Sequence, residues 1–282
     1  MTVPPERSAV LARWDARIAR ARRLALALTP ASQLLEFYAG LAECQRAMAA
    51  AVAAVPRTAP PSGDVATDID LDDATSAVPG LVTWLTRHAP ARLEHAVAHG
   101  PSLVEWRALI ARRLAHEDLA DHATAFVAEA VLQPLAELVA ADSATTRRPS
   151  EVAAGLPSAT CPVCHDRPTV ASLRDAGHGA RRTLVCGLCL SEWDYPRVLC
   201  PACGEQQFDR LPVYSTDALP HVRLDGCDGC RTYVKAVDLT RDGLAVPLVD
   251  DLASVTLDLW AREHGYHRVS PSLLRLEAGA SA

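Results

Sequence analysis

Eight of the nine cysteines lie in four Cys-x-x-Cys pairs, all in the C-terminal half of the sequence. Two thiolates three positions apart on a tight turn can bind one cation at about 2.3 Å. The first two pairs are separated by 21 residues and the last two by 23, a spacing typical of four-cysteine zinc ribbons and rubredoxins. We therefore predict two tetrahedral metal sites, the first formed by Cys161, Cys164, Cys186 and Cys189 and the second by Cys200, Cys203, Cys227 and Cys230.

The two sets of cysteines belong to an internal repeat of about 40 residues. Cys161-Pro-x-Cys recurs 39 residues later at Cys200, and Arg182-x-x-x-Cys-x-x-Cys recurs 41 residues later at Arg223. Pairing within each copy is the simplest arrangement, and ligands exchanged between the copies are the alternative. Disulfides are a further alternative, disfavoured because no βαβ pattern surrounds the pairs.

The turns that carry the cysteines have their own sequence signals. Pro162 and Pro201 stiffen the turn after the first cysteine of their pairs, and Gly204 supplies conformational freedom after the second. His165 occupies the position that matches Gly204 and lacks this freedom. Metal binding at such sites contributes roughly 10–16 kcal/mol, so we expect the ions to hold this half of the chain together.

Spacing does not distinguish zinc from iron, because both ions accept four thiolates in a tetrahedron. A zinc ion would be structural, whereas an iron ion would add one-electron redox chemistry. No Gly-rich phosphate loop, nucleophile elbow or catalytic triad is visible, and no catalytic residue is predicted. His116 and His122 are six positions apart, which does not match the metal-binding spacing of i and i+4 on a helix.

The elements that position these residues predict an α+β protein. Hydrophobic residues make up 49% of the chain and aromatic residues only 5%, the composition of a core of Ala, Leu and Val packed between helices. Apolar residues with helical spacing predict a helical domain over 1–150, with a break at Thr29-Pro30, a kink or break at Pro134 and a linker over 142–158. Cys44 lies within the second predicted helix as a small core residue.

Short β-prone segments flank the cysteine pairs and predict hairpins. They are 183–185, 221–224 and 232–239. A final helix is predicted over 250–264, with Leu252, Val255 and Leu259 on its inner face and Gly265 as its cap. The predicted organisation is thus a helical domain (1–150), two tandem rubredoxin or zinc-ribbon-like units (156–199 and 200–245), and a C-terminal helix and tail (246–282).

Charge and hydropathy argue against two classes of partner. The net charge is −6, and residues 156–282 carry 13 basic against 16 acidic side chains. A nucleic-acid-binding domain is usually basic, because phosphate contacts supply most of its affinity. No segment reaches the roughly 20 apolar residues that span a bilayer. We therefore expect no nucleic-acid partner, no membrane insertion and a cytoplasmic location. In that reducing compartment, cysteines arranged as Cys-x-x-Cys favour metal binding over disulfides.

The motifs of the C-terminal half resemble those of the FdhE-type formate dehydrogenase accessory proteins. The resemblance rests on the cysteine frame with Arg182-x-Leu-x-Cys186, Glu-Trp193 and Arg197-Val-x-Cys200, and on Tyr233-x-Lys235, Asp250-Asp251-Leu252 and Gly265-Tyr266. In the helical half it is weaker and covers mainly Phe126 to Pro134. His165 replaces the glycine that is usual in the family.

The resemblance implies an accessory or maturation protein. Such a protein would bind the catalytic subunit of a respiratory formate dehydrogenase in the cytoplasm and support its assembly or activation before export. The resemblance also favours iron, and the alternative function is a rubredoxin-like electron carrier. Within the segment 192–197, Tyr195 and Arg197 are predicted surface contacts for the partner, whereas Trp193 is expected to pack inside its own ribbon.

Overall fold

The computed structural model describes residues 3–56, 60–144, 158–177 and 179–274. The chain forms two compact units. The first comprises residues 1–18, 37–149 and 188–190, and the second comprises 19–36, 150–187 and 191–282. The predicted domain boundary at residue 150 and most of the predicted linker lie outside the described residues. Residues 142–144 of that linker are helical.

The N-terminal part of the chain is helical, as predicted. Its helices are α1 (Pro5–Ala27), α2 (Ser32–Ala53), α3 (Val65–Asp68), α4 (Leu71–His88), α5 (Ala91–Ala98), α6 (Leu103–Leu114) and α7 (His122–Ala144). A short 3-10 turn over Thr29–Ala31 separates α1 from α2, at the predicted break. Local sequence determines where α6 begins. Ser102 and Glu105 form a reciprocal capping box that satisfies the backbone N–H groups at its N-terminus.

The core of the helical unit packs against α7. Pro134 lies inside this helix without interrupting it, so the predicted break there was wrong. Among the described residues, α7 is the helix that is long and apolar enough to cross a membrane by length and composition. However, 83% of its most apolar stretch is buried, as expected for the core helix of a protein unit. Glu137 on α7 is buried, and its two carboxylate oxygens accept hydrogen bonds from Nη1 and Nη2 of Arg17 at 2.7 and 2.8 Å.

The second unit is built on one seven-stranded sheet. Its strands are β1 (Pro168–Asp175), β2 (Ala180–Cys186), β3 (Glu192–Asp194), β4 (Val213–Ser215), β5 (Val222–Cys227), β6 (Thr232–Asp238) and β7 (His267–Arg268). The order is β3-β2-β1-β6-β5-β4, and β7 pairs with β6. The three β-prone segments correspond to β2, β5 and β6. Strands β1, β3, β4 and β7 were not predicted from the sequence.

The two repeat copies share this sheet instead of forming separate ribbons. The antiparallel strands of the first copy meet those of the second through a parallel pairing of β1 and β6, with Ala171 opposite Ala236. Both of these residues are fully buried and belong to a core cluster with Leu184 and Val234. A ribbon of about 40 residues has little apolar surface to bury alone, and joining the copies gives them a common core.

The predicted C-terminal helix is divided into α8 (Pro247–Ala253) and α9 (Val255–Glu263). The Ser254 hydroxyl donates to the carbonyl oxygens of Asp250 and Asp251, at the point where the two helices meet. Leu259 is 43% exposed, so its predicted place on the inner face was wrong. Gly265 follows α9 at a φ of +75°, the left-handed conformation expected of a helix cap.

A buried group of charges joins α8 and α9 to the sheet. The Lys235 ammonium on β6 is fully buried, 2.6 Å from an Asp258 oxygen and 3.1 Å from an Asp251 oxygen. Arg268 on β7 contacts the same two carboxylates at 2.8 and 3.0 Å. Two cations thus face two anions. Mutual pairing is what makes burial of such charges tolerable.

Candidate metal centres

The structure groups the eight paired cysteines within each repeat copy. Cys161, Cys164, Cys186 and Cys189 form one group, in which all four side chains are buried and the sulfurs lie within 4.8 Å of one another. The Sγ atoms of Cys164 and Cys186 are 3.3 Å apart. The first pair lies on the turn before β1, and the second pair begins at Cys186, the last residue of β2. The backbone N–H of Val163 donates to the Cys161 sulfur at 3.3 Å.

The second group consists of Cys200, Cys203, Cys227 and Cys230, whose sulfurs also lie within 4.8 Å of one another. Two Sγ separations, from Cys200 to Cys230 and from Cys203 to Cys227, are 3.7 Å. The Ala202 N–H donates to the Cys200 sulfur at 3.4 Å, as Val163 does in the first group. This group is less enclosed, because the Cys203 side chain is exposed.

The sulfur separations fit a four-thiolate ion and not a disulfide. A tetrahedron with metal–sulfur bonds of about 2.3 Å places its sulfurs about 3.8 Å apart, close to the 3.3–3.7 Å found here. A disulfide would require about 2.05 Å, and none of these eight cysteines forms a disulfide. Each group could therefore hold one metal ion. Tetrahedral thiolate geometry suits zinc and iron alike.

All four Cys-x-x-Cys turns end in the same backbone conformation. The residues after the second cysteine are His165, Leu190, Gly204 and Arg231, with φ values of +61°, +58°, +78° and +58°. His165 adopts this conformation although it lacks the conformational freedom of Gly204. The repeated turn bond is the same too, since the N–H of His165 and of Gly204 each donate to the carbonyl of the first cysteine at 3.0 Å.

One thiol of the second group is prepared for ionisation by a neighbouring hydroxyl. Burial raises the pKa of Cys230, but hydrogen bonds from the Thr232 hydroxyl and N–H outweigh burial and lower that pKa to about 7. The Thr232 oxygen lies 2.9 Å from the Cys230 sulfur. Because metals bind the thiolate, a lowered pKa favours the form that serves as a ligand.

The structure corrects the predicted docking segment. Tyr195 is only 5% exposed, and its hydroxyl donates to the Cys200 carbonyl at 3.4 Å, so the prediction of a surface tyrosine was wrong. Trp193 is partly buried, packs against the sheet core and donates to the Ser158 carbonyl at 3.2 Å. Arg197 is exposed, as predicted. Cys44 is half-buried in α2, and burial raises the pKa of its thiol.

A third group of potential ligands was not foreseen. His221, Asp242 and Asp250 lie together in the second unit, but the Arg20 guanidinium already occupies their oxygens. Arg20 is 2.5 Å from Asp250 and 2.7 Å from Asp242. His221 lies 2.7 Å from Asp250. We interpret this group as an ion-pair network. Arg20 and Asp250 are 230 positions apart, so local spacing gave no signal.

Comparisons with known proteins identify the part of the chain that carries both cysteine groups. Residues 160–197 match a family model described as the FdhE central domain, and residues 198–275 match one described as the FdhE C-terminal domain. Over residues 160–275 the chain is therefore similar to FdhE-type proteins. The resemblance that the motifs indicated is thereby confirmed.

Two curated relatives show how far the sequence similarity extends. An FdhE homologue of Aquifex aeolicus is 40% identical over 116 residues, which are 40% of this chain and 41% of that relative. A homologue of Pseudomonas putida is 35% identical over 126 residues, which are 43% of this chain and 40% of that relative. The chain thus spans about two fifths of the length of the curated relatives it matches.

The fold extends the similarity beyond the aligned sequences. The crystal structure of the FdhE protein from Pseudomonas aeruginosa superposes with a TM-score of 0.72 at 25% identity. It covers 97% of this chain and 97% of that chain. The helical half, where the motif resemblance was weak, is therefore part of the shared architecture.

Proposed function

We propose that this FdhE-type chain is an accessory protein that binds the catalytic subunit of a respiratory formate dehydrogenase in the cytoplasm. It would support assembly or activation of that subunit before export. The observation that carries the proposal is the match of residues 160–275 to the FdhE central and C-terminal domains, with both cysteine groups inside the matched region. We further propose that the eight cysteines bind two ions, of which iron is the expected occupant.

The proposed role is binding and not catalysis. Much of the polar chemistry buried in the second unit is committed to ion pairs, such as Lys235 with Asp258 and Arg20 with Asp250. Metal-stabilised turns present a rigid surface, which lowers the entropy cost of docking a partner. Because Tyr195 is buried, we place the docking contact on Arg197 and on Phe208, an aromatic side chain that is 80% exposed.

Co-purification tests this function. A tagged full-length chain, co-expressed with the formate dehydrogenase catalytic subunit from the same cell, should capture it. An unrelated protein with a twin-arginine leader should not be captured. Phe208→Ser should lower the captured fraction several-fold, and Leu244→Ser, which also removes an exposed apolar side chain (69% exposed), should leave it unchanged. No capture by the folded, metal-loaded wild type would contradict the proposal.

An electron carrier is the second candidate, and the exposure of Cys203 favours it. A redox centre needs an edge close to solvent to meet its partner, and the second group has one. Protein purified without oxygen should then show the visible absorption of iron–thiolate bonds and bleach reversibly on reduction. A colourless protein with two zinc ions per chain would exclude the electron-carrier function and would not contradict the proposed binding of the catalytic subunit.

A further inference from the structure

A groove in the first unit lies between the C-terminal end of α2, the junction of α3 and α4, and the C-terminal half of α7. We call it the α2–α7 groove. All of its lining residues belong to the first unit. Its volume is about 300 Å³, at the lower end of the range of roughly 300–1,000 Å³ found for ligand pockets. It is therefore large enough to admit one long side chain of another molecule.

The α2 and α7 sides of the groove are apolar. Leu138 and Val139 on α7 are buried, and Val52 on α2 is half-buried. Val55, which follows α2, is 62% exposed. An apolar group bound here would cover Val55 and remove its surface from water, which is favourable.

The α3–α4 side of the groove carries an excess of negative charge. The charged lining residues are one guanidinium and four carboxylates, namely Arg7, Asp68, Asp70, Asp73 and Asp142. Arg7 Nη2 pairs with Asp142 at 2.9 Å, and Arg7 Nη1 donates to the Val55 carbonyl at 2.9 Å. Because Asp142 offsets the charge of Arg7, the carboxylates at the α3–α4 junction are not balanced by the only cation that lines the groove.

The start of α4 does not balance these charges either. The Asp70 carboxylate caps α4 and accepts from the N–H groups of Asp72 and Asp73 at 2.7 and 3.4 Å. A helix N-terminus carries only about half a positive charge. The Asp73 carboxylate has no hydrogen-bond or ion-pair partner among the residues that the structure describes. Burial and the negative charges of Asp70 and Asp72 raise the pKa of Asp73, so a cation in the groove would relieve this repulsion.

The combination of apolar and acidic surfaces selects the kind of cation. Among the described residues, these carboxylates do not form a group of three whose oxygens lie within 4.8 Å of one another, so they do not make a compact metal site. An arginine side chain has an aliphatic stem for the apolar side and a guanidinium for the carboxylates. A guanidinium is also more weakly hydrated than an ammonium and binds carboxylates with two parallel hydrogen bonds.

We propose that the α2–α7 groove docks a segment of a partner polypeptide in which an arginine is flanked by apolar residues. The guanidinium binds at Asp70 and Asp73, and the apolar flanks pack on Val52, Val55 and the exposed edge of α7. The proposal goes beyond the proposed function, because it requires no particular client.

The experiment uses the full-length, metal-loaded protein and saturation-transfer NMR at about 0.15 M salt, where charges more than about 8 Å apart are largely screened. The probe is a capped Ala-Leu-Arg-Leu-Ala peptide. An Ala-Leu-Gln-Leu-Ala peptide lacks the charge, and an Ala-Gly-Arg-Gly-Ala peptide lacks the apolar flanks. We expect saturable binding of the probe and binding weaker by about tenfold or more for the other two. Equal binding of the Arg and Gln peptides would overturn the proposal.

Protein variants locate the bound peptide. Asp70→Asn/Asp73→Asn should weaken binding of the probe by about tenfold or more, and Asn at position 70 remains a favoured N-cap residue. Asp72→Asn is the matched control, because Asp72 pairs with Arg107 and does not line the groove; it should bind within about twofold of wild type.

A second pair of variants tests the apolar side. Val55→Ser should weaken binding several-fold, and it keeps the test valid if the double variant misfolds, because Val55 is exposed. Val104→Ser removes a valine that is 81% exposed on α6 and should bind as wild type. Binding that is unchanged in Val55→Ser and in Asp70→Asn/Asp73→Asn would place the peptide elsewhere and overturn the proposal.

The competing occupant is an arginine of this chain itself. Arg147 and Arg148 follow α7 in the sequence. If the wild type fails to bind the probe and Arg147→Ser/Arg148→Ser binds it, the groove is filled by this chain, and docking of a partner is refuted. Absence of binding by both proteins would refute it as well.

The two proposals fail separately. Peptide binding in the groove without capture of the catalytic subunit would refute the proposed function and leave the groove as a docking site. Capture of the catalytic subunit without binding of the peptide would do the reverse.

Discussion

Each Cys-x-x-Cys turn carries a left-handed residue immediately after its second cysteine. At three of the four positions that residue has a side chain, namely His165, Leu190 and Arg231. A left-handed conformation costs a non-glycine residue roughly 1–2 kcal/mol. The turns adopt it nevertheless, because it directs backbone N–H groups and both sulfurs toward a common centre. Metal binding at about 10–16 kcal/mol per structural site is large enough to hold such turns in place.

The remaining turn has Gly204, which allows the conformational cost to be measured directly. A Cβ added at Gly204 would meet no atom within 4 Å, so Gly204→Ala changes only the backbone preference. We expect the substitution to lower the free energy of unfolding by about 1 kcal/mol, measured by denaturant titration at equal metal content. Gly243→Ala is the control, because Gly243 has room for a Cβ and does not adopt a left-handed φ. A Gly204→Ala protein as stable as wild type would show that the turn tolerates the strain at no cost.

At the scale of elements, the buried charges of Lys235, Asp251, Asp258 and Arg268 connect α8 and α9 to the sheet. Burial raises the pKa of Asp258, but the attraction of Lys235 and Arg268 outweighs burial and holds that pKa below its usual 3.8. A carboxylate with a depressed pKa stabilises the fold above its unfolded-state pKa. This contribution is lost as the pH falls through the lower, folded-state value.

Asp258→Asn tests this connection. The substitution leaves two cations facing one carboxylate, so we expect a loss of about 3–5 kcal/mol at neutral pH. The difference from wild type should begin to shrink below about pH 4, where this carboxyl is protonated in the unfolded chain, and should be lost as the pH falls through the lower folded-state pKa of Asp258. Asp209→Asn removes an exposed carboxylate and should change stability by less than about 0.5 kcal/mol. A difference that stays constant down to pH 2 would rule out the ionised carboxylate as its source.

Sequence patterns identified the elements whose signals are local. The two sets of cysteines, the helical spacing and strands β2, β5 and β6 could each be predicted from a window of a few residues. Strand β1 could not, because it is central and largely buried. Its polar Ser172 is buried and exchanges a hydrogen bond with the Thr183 hydroxyl at 2.7 Å. Polar residues of β1 are therefore buried together with apolar ones, and the strand lacks the alternation of apolar and polar residues that predicts a half-exposed strand. The parallel pairing of β1 with β6 joins segments 65 residues apart in their register, and no local pattern encodes it.

The candidate sites follow the same division. The cysteines of each group lie within one repeat copy, and their grouping was predictable from spacing. The burial of Tyr195 was not predictable, because the core that covers it includes Ala236 from the second copy. Arg182 and Arg223 were visible as repeated residues, but they line a common pocket only once the shared sheet is formed.

At the scale of the whole molecule, the two cysteine groups lie at the ends of strands of one sheet. The first group adjoins β1 and β2, and the second adjoins β5 and β6. Folded domains are stable by about 5–15 kcal/mol in total. Each structural metal site contributes roughly 10–16 kcal/mol. If each group holds such an ion, its loss would remove about as much free energy as stabilises a whole folded domain. Because the two copies share one sheet, we expect both to be affected.

Metal removal should consequently open residues 156–282 as a unit. Limited proteolysis with trypsin reports this directly, because Arg182 and Lys235 are buried cleavage sites, 3% and 0% exposed, one in each copy. Both should resist cleavage in the loaded protein and be cut rapidly after treatment with a strong chelator. Cys161→Ser and Cys227→Ser should expose both sites even with metal present, whereas Cys44→Ala should match wild type in metal content and in protection. If Arg182 and Lys235 stay protected after complete metal removal, the apolar core of the sheet is sufficient to keep this part of the chain folded without metal. Exposure of Lys235 alone in Cys227→Ser would show that the two copies fold independently despite the sheet they share.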